Sequence, residues 1–264
     1  MVAEAPRGVL LREPTRPRRP LVASIPHGSD LVPERYAAAM LASEALGVDA
    51  YTSEIYGFAT ELGATVVEAG LSRFVADANR DAAGPTFGPF PTAIVASTDG
   101  WDPLYEEELP EQAVAERISV AHTAYHDAID AAVAAHLREA PRTLLLDLHS
   151  FGVPLDADVV LGDGRGSTAD ARVVETLEAA LRSEGFRVVR NVRFTGGWIV
   201  RRFAGEPLVD AVQVELNKRC YVDGPAVASR RRPLPHDSER IAEVRERIRG
   251  AFLRILDHYE GIAS

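Results

Sequence analysis

The chain has 264 residues, 46% hydrophobic and 26% charged, the composition of an ordinary globular protein long enough for a full core. Its 39 acidic and 29 basic residues leave a net charge of −10, which argues against nucleic acid as a partner for the whole chain. One cysteine, Cys220, excludes an intrachain disulfide and a thiolate metal cage. No stretch approaches a membrane span and no apolar leader opens the chain, so a cytoplasmic enzyme or binding protein is expected, with no membrane partner.

Residues 1–20 are rich in proline and arginine and read as a mobile or surface-laid arm. Leu21–Ile25 is a short strand stopped by Pro26, which leaves His27 just past its end. Helical patterns follow over Pro33–Leu46 and Ala50–Leu62, the second closed by Gly63. Ala64–Ala69 is the next strand and feeds a polar loop with Arg73, Asp77, Asn79, Arg80 and Asp81. The Gly- and Pro-rich stretch Ala82–Trp101 surrounds one weak strand, Ala93–Ser97, and reads as a long irregular loop over one face. The best helix is Glu111–Glu139, with Val114, Ile118, Ala121, Tyr125, Ile129 and Val133 on one stripe.

The apolar run Thr143–Phe151, TLLLDLHSF, reads as a strand buried on both faces at the centre of a sheet. Asp147 and His149 belong at its carboxyl end, where open α/β sheets build ligand crevices. A strand at Asp158–Leu161, a glycine loop, a helix from about Thr168 to Arg182 and a strand at Phe186–Arg190 come next. After a GG turn, Asp210–Leu216 is a strand ending in Glu215, and a helix over Glu239–Tyr259 closes the chain. With no internal repeat and no linker, this alternation predicts one α/β domain with a mostly parallel or mixed sheet.

Three strands thus end in His27, His149 and Glu215, and the short apolar run before each predicts that they are neighbours at one edge of the sheet. Two histidines and a carboxylate leave zinc an open position, the arrangement of a hydrolytic site. Asp30, three residues after His27, and Asp49, at the start of the second helix, are both candidates for the acidic ligand. Their structural alternatives are a turn residue and a helix N-terminal charge. Glu215, beside such a site, can serve as general base and later return the proton to a leaving amine. Its alternative is a strand-end glutamate paired with Lys218 or Arg219. Arg73, Asn79 and Arg80 form a donor set suited to gripping a carboxylate and polarising a carbonyl, or else a solvated loop with internal ion pairs. Arg201 and Arg202 are ambiguous in the same way. His122 and His126 lie four apart on a helix without the intervening glutamate of a metalloprotease motif, so they read as structural, with His126 a candidate to line the site. The GDGRGS loop carries a weak phosphate-binding signal.

Seven motifs in order resemble the N-formylglutamate amidohydrolases (deformylases), metal-dependent relatives of zinc carboxypeptidases and aspartoacylase-type deacylases. SIPHGSD is similar to the family's IPHxG, VDAYTSEIYGFATELGA to its DTDW and LYxFAxxLGA, and SRFVADANRD to its SRYVxDLNR. AYHDAI is similar to PYHxxL, LDLHS to DxHS, RFTGGWIVRRFA to RFKGGYITRxYG, and VQVELNKRCYVD to QLELxxxxYM. The resemblance implies a single-domain three-layer α/β/α fold of zinc-carboxypeptidase (phosphorylase/hydrolase-like) type over residues 21–264, following an N-terminal arm over 1–20. It implies His27 and His149 as ligands of one metal, Zn²⁺, with Asp49 preferred over Asp30 as the acidic ligand and Glu215 as general base. Arg73, Asn79 and Arg80 match the groups that bind the reacting carbonyl and the carboxylates of a small N-acyl amino acid, with a further contact from Arg201 or Arg202. The chain departs from the family at Ala50-Tyr51, Ala78 and Val200, and the stretch 82–101 has no counterpart. A zinc peptidase with a related site and a non-catalytic carboxylate-binding module are the alternatives.

Overall fold

A computed structural model of the chain describes residues 8–41, 49–228 and 233–262. Its main sheet starts earlier than the sequence suggests. Strand β1 (Val9–Arg12) pairs antiparallel with β3 (Thr65–Ala69), and β3 runs parallel to β2 (Leu21–Ile25). Residues 9–12 are therefore an edge strand and not a free arm. The arm's composition hid this, since only a partner strand supplies the pairing.

The small strands β4 (Phe87–Gly88) and β5 (Val95–Ala96) form a separate parallel pair inside the 82–101 stretch. In the main sheet, β6 (Thr143–Phe151) lies between β2 and β9 (Val209–Asn217), parallel to both. Beyond β9 come β7 (Val159–Gly162), antiparallel to it, and β8 (Val188–Arg190), parallel to β7. The strand order is β1-β3-β2-β6-β9-β7-β8, a mixed and mostly parallel sheet.

Helices begin with α1 (Glu34–Ala37), far shorter than the pattern over 33–46, whose last part lies outside the described residues. Next, α2 (Thr52–Tyr56) runs into a 3₁₀ turn, Gly57–Leu62. The long pattern from Glu111 is realised as α3 (Glu111–Arg117), a π-helical stretch (Ile118–Thr123) and α4 (Ala124–Leu137). Then come α5 (Ala171–Ser183), α6 (Trp198–Arg201), α7 (Gly224–Ala228) and α8 (Ser238–Ile262). Among the described residues no helix is long and apolar enough to cross a membrane.

The period of two along each strand sorts the sheet into two faces. On one, Leu144, Leu146 and Leu148 of β6 and Val212, Val214 and Leu216 of β9 pack against α2, α5 and α8. On the other, Val22, Leu145 and Ala211 pack against Tyr125, Ile129 and Val133 of α4 and Ile199 and Val200 of α6. Three layers result. A fully buried leucine contributes roughly 1.5–3 kcal/mol, so the three on β6 hold its register firmly. A slip of one residue would turn Asp147 and His149 into the apolar α5–α8 layer.

The same alternation creates the polar region. On the α4–α6 face, the apolar residues give way toward the carboxyl ends of the strands to Asp147 and His149, and to Gln213 and Glu215. Parallel register sets Asp147 opposite Gln213 and His149 opposite Glu215, with Ser24 of β2 opposite Asp147 on its other side.

Candidate metal centre and active site

His27 stands directly after β2, and its carbonyl accepts from the Asp49 backbone N–H at 2.9 Å. Thr52 Oγ1 donates to the Asp49 carbonyl at 2.8 Å and Tyr221 Oη donates to the Ala50 carbonyl at 2.9 Å, which fixes the turn carrying Asp49. His27, Asp49 and His149 are all buried, and one donor atom from each lies within 4.8 Å of the others. Asp49 Oδ2 is 3.0 Å from His149 Nδ1 and 3.5 Å from His27 Nδ1.

The far nitrogen of each ring is engaged by a second carboxylate. His27 Nε2 is 2.7 Å from Asp77 Oδ1, and His149 Nε2 is 2.8 Å from Asp147 Oδ2. A carboxylate behind each imidazole fixes the ring and its tautomer and leaves Nδ1 free to ligate. Two Nδ1 atoms and one carboxylate, each oriented from behind, fit a zinc-type divalent ion with a further position open. Asp30 is exposed on the loop after His27 and stands outside this group.

Charge on these groups is set by competition between burial and neighbours. Burial pushes the Asp49 carboxyl up, but His149 and His27 outweigh it and hold the group below the carboxylate range. For His149, burial disfavours the charged ring, and Asp147 and Asp49 overcome that and raise it. Glu215 goes the other way. Burial raises it to about 7, with His149 opposing the shift and Asp49 reinforcing it. Gln213 Nε2 donates to Glu215 Oε1 at 2.6 Å, and the Gly197 N–H donates to Gln213 Oε1. Sequence reasoning missed Gln213. Its signal was position, two residues before Glu215 and so on the same face of β9.

The loop after β3 is organised by Asp77, whose structural role the residue types alone did not reveal. Its carboxylate accepts from His27, from Arg73 Nε at 3.1 Å, from Arg80 Nη2 at 3.1 Å and from the Asn79 backbone N–H at 2.9 Å. Burial would raise this carboxyl, but Arg73, His27 and Arg80 hold it well below its ordinary value. Phe90, from the 82–101 stretch, places its ring over both guanidinium groups, 5.0 Å from Arg73 and 5.6 Å from Arg80.

Asn79 is used within the protein: Oδ1 accepts from the Ile199 N–H at 3.0 Å, and Nδ2 lies 3.3 Å from Asp147 Oδ2. Arg201 is exposed, donates to the Gly196 carbonyl and lies close enough to Arg80 to disfavour its charge. Arg202 turns away to Asp130 at 2.7 Å. His122 and His126 are buried and bond to backbone carbonyls of the Asn79 loop. The GDGRGS loop offers no anion cradle. Its amides from Gly164 to Thr168 are taken by Thr195, Asn191 and Asp163, the last capping its own turn.

Against known families, the model for N-formylglutamate amidohydrolase matches residues 19–222, the span from β2 to just past Glu215. The chain belongs to the N-formylglutamate amidohydrolase family. Curated relatives agree. The N-formylglutamate deformylase of Pseudomonas aeruginosa is 36% identical over 225 residues, 79% of this chain and 84% of that protein. That of Pseudomonas putida is 30% identical over 228 residues, covering 78% and 83%. Among solved structures, an N-formylglutamate amidohydrolase from Ralstonia eutropha superposes with a TM-score of 0.82 at 23% identity, covering 95% of this chain and 98% of that one. A gene product of Agrobacterium tumefaciens gives a TM-score of 0.65 at 18% identity, covering 97% and 94%. At these identities the two structures speak to the fold, and they share it with this member of the amidohydrolase family.

Proposed function

We propose that this protein hydrolyses the amide bond of N-formyl-L-glutamate or a similar small N-acyl amino acid, releasing formate or another carboxylate and the free amino acid. The observation that carries the reading is the convergence of His27, Asp49 and His149 beside Glu215, within reach of an arginine-rich loop. His27, Asp49 and His149 would hold one Zn²⁺. Bound there, it would supply Lewis acidity toward the acyl carbonyl and toward water.

The remaining roles fall to side chains. Glu215 takes a proton from the attacking water and delivers it to the departing amine as the C–N bond breaks. A carboxyl near 7 is suited to both directions of transfer. Arg73 polarises the reacting carbonyl. Arg80, with Asn79 shaping the loop and Arg201 at its rim, grips a substrate carboxylate, while Arg202 is held away by Asp130. Arg73, Arg80 and Arg201 bring three positive charges to a region where Asp77 supplies the facing carboxylate, a balance that favours an anionic ligand.

The decisive assay is formate release from N-formyl-L-glutamate by protein that is chelated and then reloaded with Zn²⁺. Turnover lost on chelation and regained on reloading supports both reaction and metal. Absence of turnover on any N-acyl amino acid, in protein that carries metal, rejects the hydrolase reading. Arg80→Ala is expected to raise KM about 10- to 100-fold, the loss of a charge-assisted contact, with a smaller change in kcat. An unchanged KM would remove Arg80 from the carboxylate site.

A further inference from the structure

His122 and His126 stand outside the donor cluster, yet both reach the loop that supports it. They are four residues apart, with ring centroids 4.5 Å from each other. His122 Nε2 is 2.9 Å from the Arg80 carbonyl, and His126 Nε2 is 2.9 Å from the Ala78 carbonyl. A carbonyl only accepts, so each Nε2 carries the shared proton. The two gripped carbonyls flank Asn79 on either side.

Asn79 is itself a junction between elements. Its side chain receives the Ile199 N–H at the start of α6 and approaches Asp147, the carboxylate behind His149. It has no slack on the α6 side, because a Cβ at Gly197 would lie 2.2 Å from Asn79 Oδ1. His122 lies in the π-helical stretch Ile118–Thr123, a local widening that often accompanies functional sites.

From this geometry we infer that His122 and His126 form a backbone clamp that holds Asn79, and through it Asp147 and His149, in the arrangement the reaction needs. They are positioning residues, and the inference rests on the hydrolase reading of the site. The environment of His126 agrees with a neutral donor. Its Nδ1 is buried without a hydrogen-bond partner among the described residues. Burial, with Arg202 and His122 adding to it, lowers its pKa to about 4. The single proton of the neutral ring then sits on Nε2.

The test compares variants that remove the donor with variants that keep one. His122→Leu and His126→Leu lose the N–H at similar volume, whereas His122→Gln and His126→Gln retain an N–H near the Nε2 position. In metal-loaded protein, kcat is expected to fall about 10- to 100-fold in the leucine variants, with KM changing less than about 3-fold. The glutamine variants are expected to recover most of the loss. Full activity in both leucine variants overturns the clamp. So does equal loss in leucine and glutamine variants that tracks their melting temperatures.

A second readout does not depend on turnover. Nitrogen-15 imidazole spectra of the metal-loaded wild type near neutral pH should show His126 as the neutral Nε2–H tautomer. A neutral Nδ1–H ring, which leaves Nε2 with no proton to donate to the Ala78 carbonyl, overturns the clamp, whether or not any N-acyl amino acid is hydrolysed. A failed clamp and a failed hydrolase reading therefore give different results.

Discussion

Glu215→Gln is expected to leave metal content unchanged and to lower kcat by about 10²- to 10⁴-fold, the usual worth of a positioned general base. The substitution is nearly isosteric, and glutamine keeps an oxygen to accept from Gln213, so the β6–β9 end should hold its shape. What disappears is the ability to take a proton from water and return it to an amine. Among the described residues no other carboxylate is placed to substitute: Asp49 and Asp147 are engaged by His149, and Asp77 by His27 and two arginines. Metal analysis and formate release on the same preparation check both halves. Metal-loaded variant within tenfold of wild-type turnover would show that Glu215 is not the base.

Asp77→Ala is expected to be the most destabilising change at the site. It leaves Arg73 and Arg80, both mostly buried, without their shared carboxylate, and removes the acceptor behind His27. Removing one partner of a buried ion pair typically costs about 3–5 kcal/mol, and the partial exposure of the arginines points to the lower end. Loss of the carboxylate behind His27, the proposed ligand, should also weaken zinc binding about 10- to 100-fold. The acid limb follows from the same group. Its folded pKa is depressed, so its stabilisation is fully present above the unfolded value of about 4 and is lost as pH falls below it toward the folded pKa. Wild type should therefore lose stability in that window where the variant does not. Denaturant midpoints across the acid range, with a zinc competition assay, measure both effects. Unchanged midpoint and affinity would mean that Asp77 is a bystander.

Several features were legible in the chain because they depend on local order. The apolar run 143–151 forms β6 with the expected bounds, and Leu21–Ile25 forms β2. His27 follows at the end of one and His149 near the end of the other. Motif order by itself points to the family whose model matches residues 19–222. Long helices were readable in outline from their periodicity, but the π-helical stretch was not, since its residues suit an ordinary α-helix equally well.

By itself, then, the sequence determined the α/β alternation, the polar residues at the carboxyl ends of three strands and the candidate residue types for the chemistry. Those follow from periodicity and residue chemistry, which act over a few positions. Only the tertiary structure decided that Asp49, and not Asp30, stands between the two histidines, because a turn tied to Ala50 by Tyr221 brings it there. It also decided that Arg73 and Arg80 share Asp77, that Gln213 holds Glu215 and that residues 9–12 complete the sheet. Each of these is a meeting of segments distant in the chain or a choice among several charged neighbours, and packing selects one where local sequence permits many.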